Sequence, residues 1–197
     1  MESTVIILAG GQSSRMGTNK ALLPINGQAN IESQVAEARK ISNNILLVAN
    51  NFEDYEYLEL PMVKDKRKGV GPLAGLEAGL LASKTEFNLL VACDMPFFNA
   101  ETGRELLNGL EQYDAVMPHV SGKLHPLFAA YRKSVLPTVD DLLNHNQRRM
   151  VSLLDKLNAN ILHEEDFQSS THENFTQYFY NMNNPDDYAE AKRISQK

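Results

Sequence analysis

Two stretches of this 197-residue chain bring reactive side chains to the ends of apolar runs. The first, VIILAGGQSSRMGTNKALL over residues 5–23, leaves an apolar run through Gly10 and Gly11 and reaches Arg15 and Lys20. Adjacent glycines can adopt positive φ and offer successive N–H groups to an anion. A guanidinium fork and an ammonium point charge can then hold phosphate oxygens. The same glycines also suit a plain strand-to-helix turn with Arg15 and Lys20 in solvent, and spacing leaves both readings open. The second stretch, LLVACDMP, ends in Asp94 with Pro96 close behind. Taken alone, such an aspartate reads as a turn or helix cap. Beside the first loop it reads as a Mg2+ ligand, because Mg2+ takes a few carboxylate oxygens together with phosphate and water. Cys93 reads as a small buried residue, since no neighbouring histidine supports thiolate chemistry.

Spacing excludes two familiar phosphate loops. A P-loop needs G-x-x-x-x-G-K-[ST], but Gly17 is followed by Thr18, with Lys20 three residues on. Gly69, Gly71 and Gly75 miss the dinucleotide fingerprint G-x-G-x-x-G by one residue. His119, His145, His163 and His172 lack metal-ligand spacing and read as structural. The basic run KDKRKG at 64–69 reads as a solvated loop. Phe175, Tyr178, Phe179 and Tyr180 read as core rather than as a stacking platform.

The elements that must position these groups follow from periodicity. Short aliphatic runs at 4–9, 44–50, 87–93, 114–118 and 126–132, each bounded by turn residues, predict strands. Several are apolar almost throughout, as strands covered on both faces must be. Ile31, Val35 and Ala38 form a helical stripe. GPLAGLEAGLLAS predicts a second helix with Pro72 in its first turn. NAETGRELLNGL predicts a third with Asn99 as N-cap. The last third carries helical stretches near 134–145 and 150–157, then ANILHEE and YFYNMNN as short strands. The closing helix starts at the cap Asn184, followed by Pro185 and two acids. Alternating strands and helices, with no repeat, low-complexity tract or linker, predict one α/β domain over residues 1–197. Its expected form is a three-layer αβα sandwich on a mostly parallel, Rossmann-like sheet. In such sheets, ligands lie beyond the carboxyl ends of the strands.

Composition narrows the function classes. Hydrophobic residues make up 43% of the chain, which is enough for an ordinary core. No apolar run approaches the roughly 18 residues of a membrane span. A net charge of −6 argues against nucleic acid as a partner but leaves room for a nucleotide held by local cations. One cysteine and the lack of a cationic, apolar leader predict cytoplasmic residence.

LAGGQSSRMGTNKALL resembles the opening signature of GT-A-like nucleotidyltransferases. VKDKRKGVGPLAGLEAGL, VACDMP, LHPLFAAY, QRRMVSLL and NMNNPDDYAEAK, in that order, extend the likeness to residues 5–192 and point to the molybdenum cofactor guanylyltransferases. The resemblance implies transfer of GMP from GTP to the terminal phosphate of molybdenum-loaded molybdopterin, with Mg2+ as cofactor and pyrophosphate released. It implies a nucleotide-binding part at about 1–100 and an acceptor part at about 101–197. Carried over by position, Leu8, Ala9 and Gly10 contact the nucleotide through backbone and Gly11 shapes the loop. Arg15 and Lys20 hold phosphates, Asp65 contacts GTP, and Asp94 binds the metal. His125, Arg148, Asn181 and Asn183 approach the pterin, and Arg149 competes with Arg148 for one role. Val48 stands where a relative has a nucleoside-contacting Asn, so that contact is either lost or made by Asn50. Contact with a recipient molybdoenzyme or chaperone is also implied. Two other transferase readings share the opening motif: a cytidylyltransferase for the same cofactor, and an enzyme for a sugar or polyol phosphate. A nucleotide-binding regulatory protein without turnover is the alternative from another class.

Overall fold

The computed structural model describes residues 2–9, 19–67 and 69–196. Gly10, Gly11 and Arg15 therefore lie outside the described residues. In chain order the strands are β1 (Ser3–Leu8), β2 (Pro24–Ile25), β3 (Gln28–Ala29), β4 (Asn44–Val48) and β5 (Met62–Val63). They continue as β6 (Phe87–Ala92), β7 (Ala115–Val120), β8 (Lys123–Leu124), β9 (Phe128–Arg132) and β10 (Ala159–His163). The helices are α1 (Asn30–Arg39), α2 (Pro72–Ala82), α3 (Ala100–Asn108), α4 (Leu136–Asn144) and α5 (Pro185–Ile194).

Every residue of β1 is buried, because its side chains alternate between two covered faces. Val5 and Ile7 join a cluster with Ile31 and Val35 of α1 and Leu106 of α3. Ile6 and Leu8 join the opposite cluster with Leu73 and Leu76 of α2 and Val139 and Leu142 of α4. The period-2 alternation of one strand thus generates the predicted three layers.

The main sheet runs β10-β7-β9-β6-β1-β4-β5, with β8 beside β7. β1 pairs in parallel with both β4 and β6, and β10 pairs in parallel with β7. β9 is antiparallel to both β6 and β7. β6 and β7 consequently point the same way, and the carboxyl ends of β1, β4, β6, β7 and β10 share one edge. The second sheet is the hairpin β2-β3, turned by Asn26 and Gly27 at φ 53° and 79°. α5 covers it through a small cluster of Ile25, Met182 and Ala191.

The expected strands occur at their predicted places, with ends shifted by up to two residues. Asn99 accepts from the Glu101 and Thr102 amides at 2.9 and 3.2 Å and caps α3 as expected. Asn184 caps α5 by accepting from Asp187 N at 2.9 Å. Two expectations need correction. Residues 150–157 form a 3-10 turn over Met150–Leu153 rather than a longer helix. YFYNMNN is not a strand: Phe175–Phe179 is a 3-10 turn, and the main chain of Met182 bonds to Asp94 and Lys20 instead of a ladder. Phe175 and Phe179 are buried with ring centroids 5.4 Å apart, which bears out the core reading for these two, while Tyr178 and Tyr180 are half-buried at the edge of the packing.

The glycines of GPLAGLEAGL are packing devices. α2 lies so close to β1 that a Cβ on Gly79 would stand 2.5 Å from Ile6 Cγ2, and one on Gly75 would stand 3.0 Å from Leu8 Cδ2. Ile6 is fully buried and β-branched, so it has no room to yield. Overpacking a core costs about 1–3 kcal/mol, while Gly→Ala in a helix gains about 1 kcal/mol at most. Gly79→Ala is therefore expected to lose about 1–2 kcal/mol in urea unfolding despite its better helix propensity.

Candidate active site

The carboxyl-terminal edge of the sheet gathers most of the predicted site residues. At the end of β6 the chain turns through Cys93 and Asp94, and Cys93 N donates to Leu8 O across the sheet at 3.0 Å. Asp94 Oδ1 is buried and has no hydrogen-bond partner among the described residues. Burial pushes the Asp94 carboxyl above the usual carboxylate range, and the nearby Lys20 ammonium pulls it back. Burial and the neighbouring carboxylate push the Cys93 thiol up to about 12, so the thiolate is not available as a nucleophile.

Lys20 opens a 3-10 turn over Lys20–Leu22 that is capped by Asn19, whose Oδ1 accepts from Ala21 N at 3.1 Å. Its Nζ donates to Met182 O at 2.6 Å. Met182 N in turn donates to Asp94 O at 2.7 Å. The main chain of one residue from the C-terminal segment thereby joins the lysine to the aspartate turn. The phenol of Tyr55 adds a second tie, accepting from Asn19 Nδ2 at 2.8 Å and donating to Ala9 O at 3.0 Å. Ala9 and Asn19 flank the glycine-bearing stretch, so one buried hydroxyl anchors both of its flanks. Burial raises the Tyr55 pKa to about 12, which keeps it a donor throughout the physiological range.

The Ala9 amide is committed to Val48 O at 2.9 Å, and its carbonyl to Tyr55. The Ala9 N–H is thus committed within the fold, while its carbonyl keeps a second lone pair. Leu8 instead lines a narrow cleft with Val48, Asn50, Asp65, Gly71 and Gly75. Both Val48 and Asn50 reach this cleft, so an amide side chain stands beside the position that lacks one. Gly71, at φ 102°, supplies the backbone turn into α2. Asp65 Oδ1 accepts from Arg67 N at 2.7 Å, while burial raises the Asp65 pKa more than Arg67 lowers it. Arg67 also pairs with Glu77 of α2 at 3.2 Å and Asp140 of α4 at 2.7 Å. The basic run is thus partly a structural anchor rather than wholly solvated.

The predicted acceptor residues divide. Asn181 and Asn183 flank Met182 and so stand beside Lys20 and Asp94. His125 is buried, with Nε2 3.1 Å from Val120 O and its ring centroid 5.0 Å from that of Phe179. A carbonyl partner requires that nitrogen to carry the proton, and burial lowers the ring's pKa. Arg148 and Arg149 are both exposed between α4 and the following turn. His119 and His163 stand on paired strands with ring centroids 5.0 Å apart.

Among the described residues no cluster of three or more His, Cys, Asp or Glu side chains is placed to hold a metal. A single buried carboxylate with a vacant oxygen, close to a phosphate-competent lysine, suits a hard cation that takes most of its ligands from phosphate and water. Sequence reasoning missed Asn19, Tyr55 and Met182. The side-chain partners of Tyr55 are separated from it by more than 30 positions, and Met182 acts through its backbone, which no side-chain pattern reveals.

A family model for the MobA-like NTP transferase domain matches residues 5–161. The chain belongs to this family. It is 38% identical over 191 residues to a probable molybdenum cofactor guanylyltransferase of Carboxydothermus hydrogenoformans, covering 97% of this chain and 95% of that one. A probable molybdenum cofactor guanylyltransferase of Clostridium perfringens is 34% identical, with 95% of each chain covered. The crystal structure of molybdopterin-guanine dinucleotide biosynthesis protein A from Archaeoglobus fulgidus superposes with a TM-score of 0.84 at 26% identity, covering 98% of both chains. The chain is accordingly a nucleotidyltransferase. No helix among the described residues is long and apolar enough to cross a membrane.

Removing the Tyr55 hydroxyl leaves the buried Ala9 carbonyl without its side-chain partner and leaves the Asn19 amide only Asp54 Oδ2 at 3.3 Å. Tyr55→Phe should lower unfolding stability by about 1–3 kcal/mol, measured by denaturant titration. Asp94 gives a second expectation. Its folded pKa lies above the unfolded value, so its contribution favours folding in acid and is lost as pH rises through the folded value. Asp94→Asn should therefore gain melting temperature relative to the wild type between acid and neutral pH. Parallel melting curves across that range would contradict the burial of this charge.

Proposed function

We propose that this chain transfers the guanylyl group of GTP to the terminal phosphate of molybdenum-loaded molybdopterin. An oxygen of the acceptor phosphate forms a bond to the α-phosphorus, the bond to the bridging oxygen of the β-phosphate breaks, and pyrophosphate leaves with that electron pair. The observation that carries this reading is the junction at Met182, which sets Lys20 and Asp94 side by side at the sheet edge in a chain of this family.

The protein's part in such a displacement is positioning and charge stabilisation. In this reading Leu8 and Asp65 line the nucleoside end of the cleft, with Asn50 offering the amide that Val48 lacks. Lys20 leaves the Met182 carbonyl for oxygens of the triphosphate, joined by Arg15 and the amides of Gly10 and Gly11. Asp94 holds Mg2+ with its vacant oxygen. Bound there, the ion would neutralise the triphosphate and the departing pyrophosphate. The parts at about 1–100 and 101–197 supply nucleotide and acceptor contacts respectively. Asn181 and Asn183 meet the acceptor beside the reacting phosphates, with His125 and Arg148 further out. The enzyme acts in the cytoplasm and passes its product to a molybdoenzyme or chaperone.

Purified protein, Mg2+, labelled GTP and loaded molybdopterin should yield the guanine dinucleotide cofactor and pyrophosphate. Asp94→Ala should reduce transfer by at least about 100-fold, and Lys20→Ala should weaken triphosphate binding. Product formed from CTP and not from GTP would overturn the guanine assignment, and full activity of Asp94→Ala would overturn the metal assignment.

A further inference from the structure

Around the Asp94 turn, three side-chain oxygens are buried without partners among the described residues: Asp94 Oδ1, Asn30 Oδ1 and Gln34 Oε1. Asn30 and Gln34 lie on α1 one turn apart, each 1% exposed, beside the apolar stripe of Ile31, Val35 and Ala38. Both amide nitrogens donate into the Asp94 turn. Asn30 Nδ2 donates to Cys93 O at 2.6 Å. Gln34 Nε2 donates to Ala92 O at 3.0 Å and to Met95 O at 2.9 Å. With Met182 N on Asp94 O at 2.7 Å, every carbonyl from Ala92 to Met95 accepts a hydrogen bond from outside the turn.

Burying two amides and leaving their oxygens unmet lowers stability relative to apolar side chains of the same shape. An apolar residue at either position would have extended the α1 stripe. What the amides supply is direction. They hold the backbone on both sides of Asp94, so that the remaining freedom of its carboxylate is rotation about its own side-chain bonds. Groups that orient a metal-binding carboxylate in this manner tune the affinity of the site without touching the ion.

We propose that Asn30 and Gln34 are positioning residues that aim the Asp94 carboxylate at the cation of the metal–triphosphate complex. The inference rests on the reading of Asp94 as the metal ligand. Neither residue touches nucleotide or metal. Their loss weakens metal binding and leaves the metal-free nucleotide contacts intact, whereas a purely structural role would lower both together or neither.

The test measures Mn2+ binding to the protein–GTP complex by electron paramagnetic resonance, beside metal-free GTP binding by calorimetry. Gln34→Leu and Asn30→Ala are compared with wild type and Asp94→Ala, and melting curves establish that each variant is folded. Asn30→Ala removes one clamp while keeping Gln34, so it reports even where Gln34→Leu does not fold. In the folded variants Mn2+ affinity should fall about 10- to 100-fold with metal-free GTP affinity unchanged, and raising Mn2+ should restore transfer. Wild-type Mn2+ affinity in both folded variants, with the affinity lost in Asp94→Ala, would overturn the positioning role and leave the metal reading standing. Wild-type Mn2+ affinity in Asp94→Ala would overturn the metal reading and this inference with it. Equal weakening of metal-free GTP binding and Mn2+ binding would reduce Asn30 and Gln34 to structural supports.

Discussion

Met182 holds the edge of this sheet together with two main-chain hydrogen bonds, one from its N–H to Asp94 O and one to its carbonyl from Lys20 Nζ. Its side chain is fully buried between Ile25 and Ala191, so the backbone that makes those bonds is itself fixed by α5 and the β2-β3 hairpin. The consequence is topological. The residue that closes the site comes from the far end of the chain, while Lys20 and Asp94 come from its first half. A C-terminal segment thus forms a wall around residues from the first half of the chain. Asn181 and Asn183 stand where they do because Met182 cannot shift without breaking both bonds.

The reversed strand β9 makes this closure possible. β7 already runs the same way as β6, and β9, laid antiparallel between them, returns the chain across the sheet so that β10 can end at the same edge as β1, β4, β6 and β7. Had the connection after β7 produced one more parallel strand, the sheet could still have been buried on both faces. Its later half would then have gained one more strand end without the turn that packs His125 on Phe179. That packing carries the chain from the buried core directly into Asn181 and Met182. The reversal thus costs a less uniform sheet and gains a continuous wall from the core to the site.

What the sequence made legible was whatever rests on local rules. Apolar runs marked the strands, and Pro72, Asn99 and Asn184 marked helix starts, because a cap or a fixed φ acts within a few residues of itself. Asp94 and Lys20 were legible as strand-end chemistry. The Asn26-Gly27 turn, a strong hairpin signal between short runs, was available in the sequence and went unused. Asn30 and Gln34 carried a fainter signal, as polar residues one turn apart along an apolar stripe. Tyr55 carried none, because its partners at Ala9 and Asn19 become neighbours only when the sheet forms. YFYNMNN misled for the same reason: its aromatic content favours a strand, but the bonds of Met182 are tertiary, and tertiary partners override propensity.

The charge of the whole chain bears on why the site is so firmly held. At net −6 the protein offers no general attraction for a triphosphate. Beyond about 8 Å, physiological salt screens whatever field the exposed carboxylates create. Affinity for the substrate proposed here must therefore come from short-range contacts, and such contacts are worth most where the groups need not reorganise on binding. An aspartate whose backbone is held from α1 and from the C-terminal segment meets that requirement, whereas Lys20 exchanges its Met182 carbonyl for the ligand. The buried oxygens of Asn30 and Gln34 are unfavourable in themselves, and a chain with favourable long-range electrostatics would gain less from keeping them. In an acidic protein that must hold an anion, rigid local geometry takes the place of a global field.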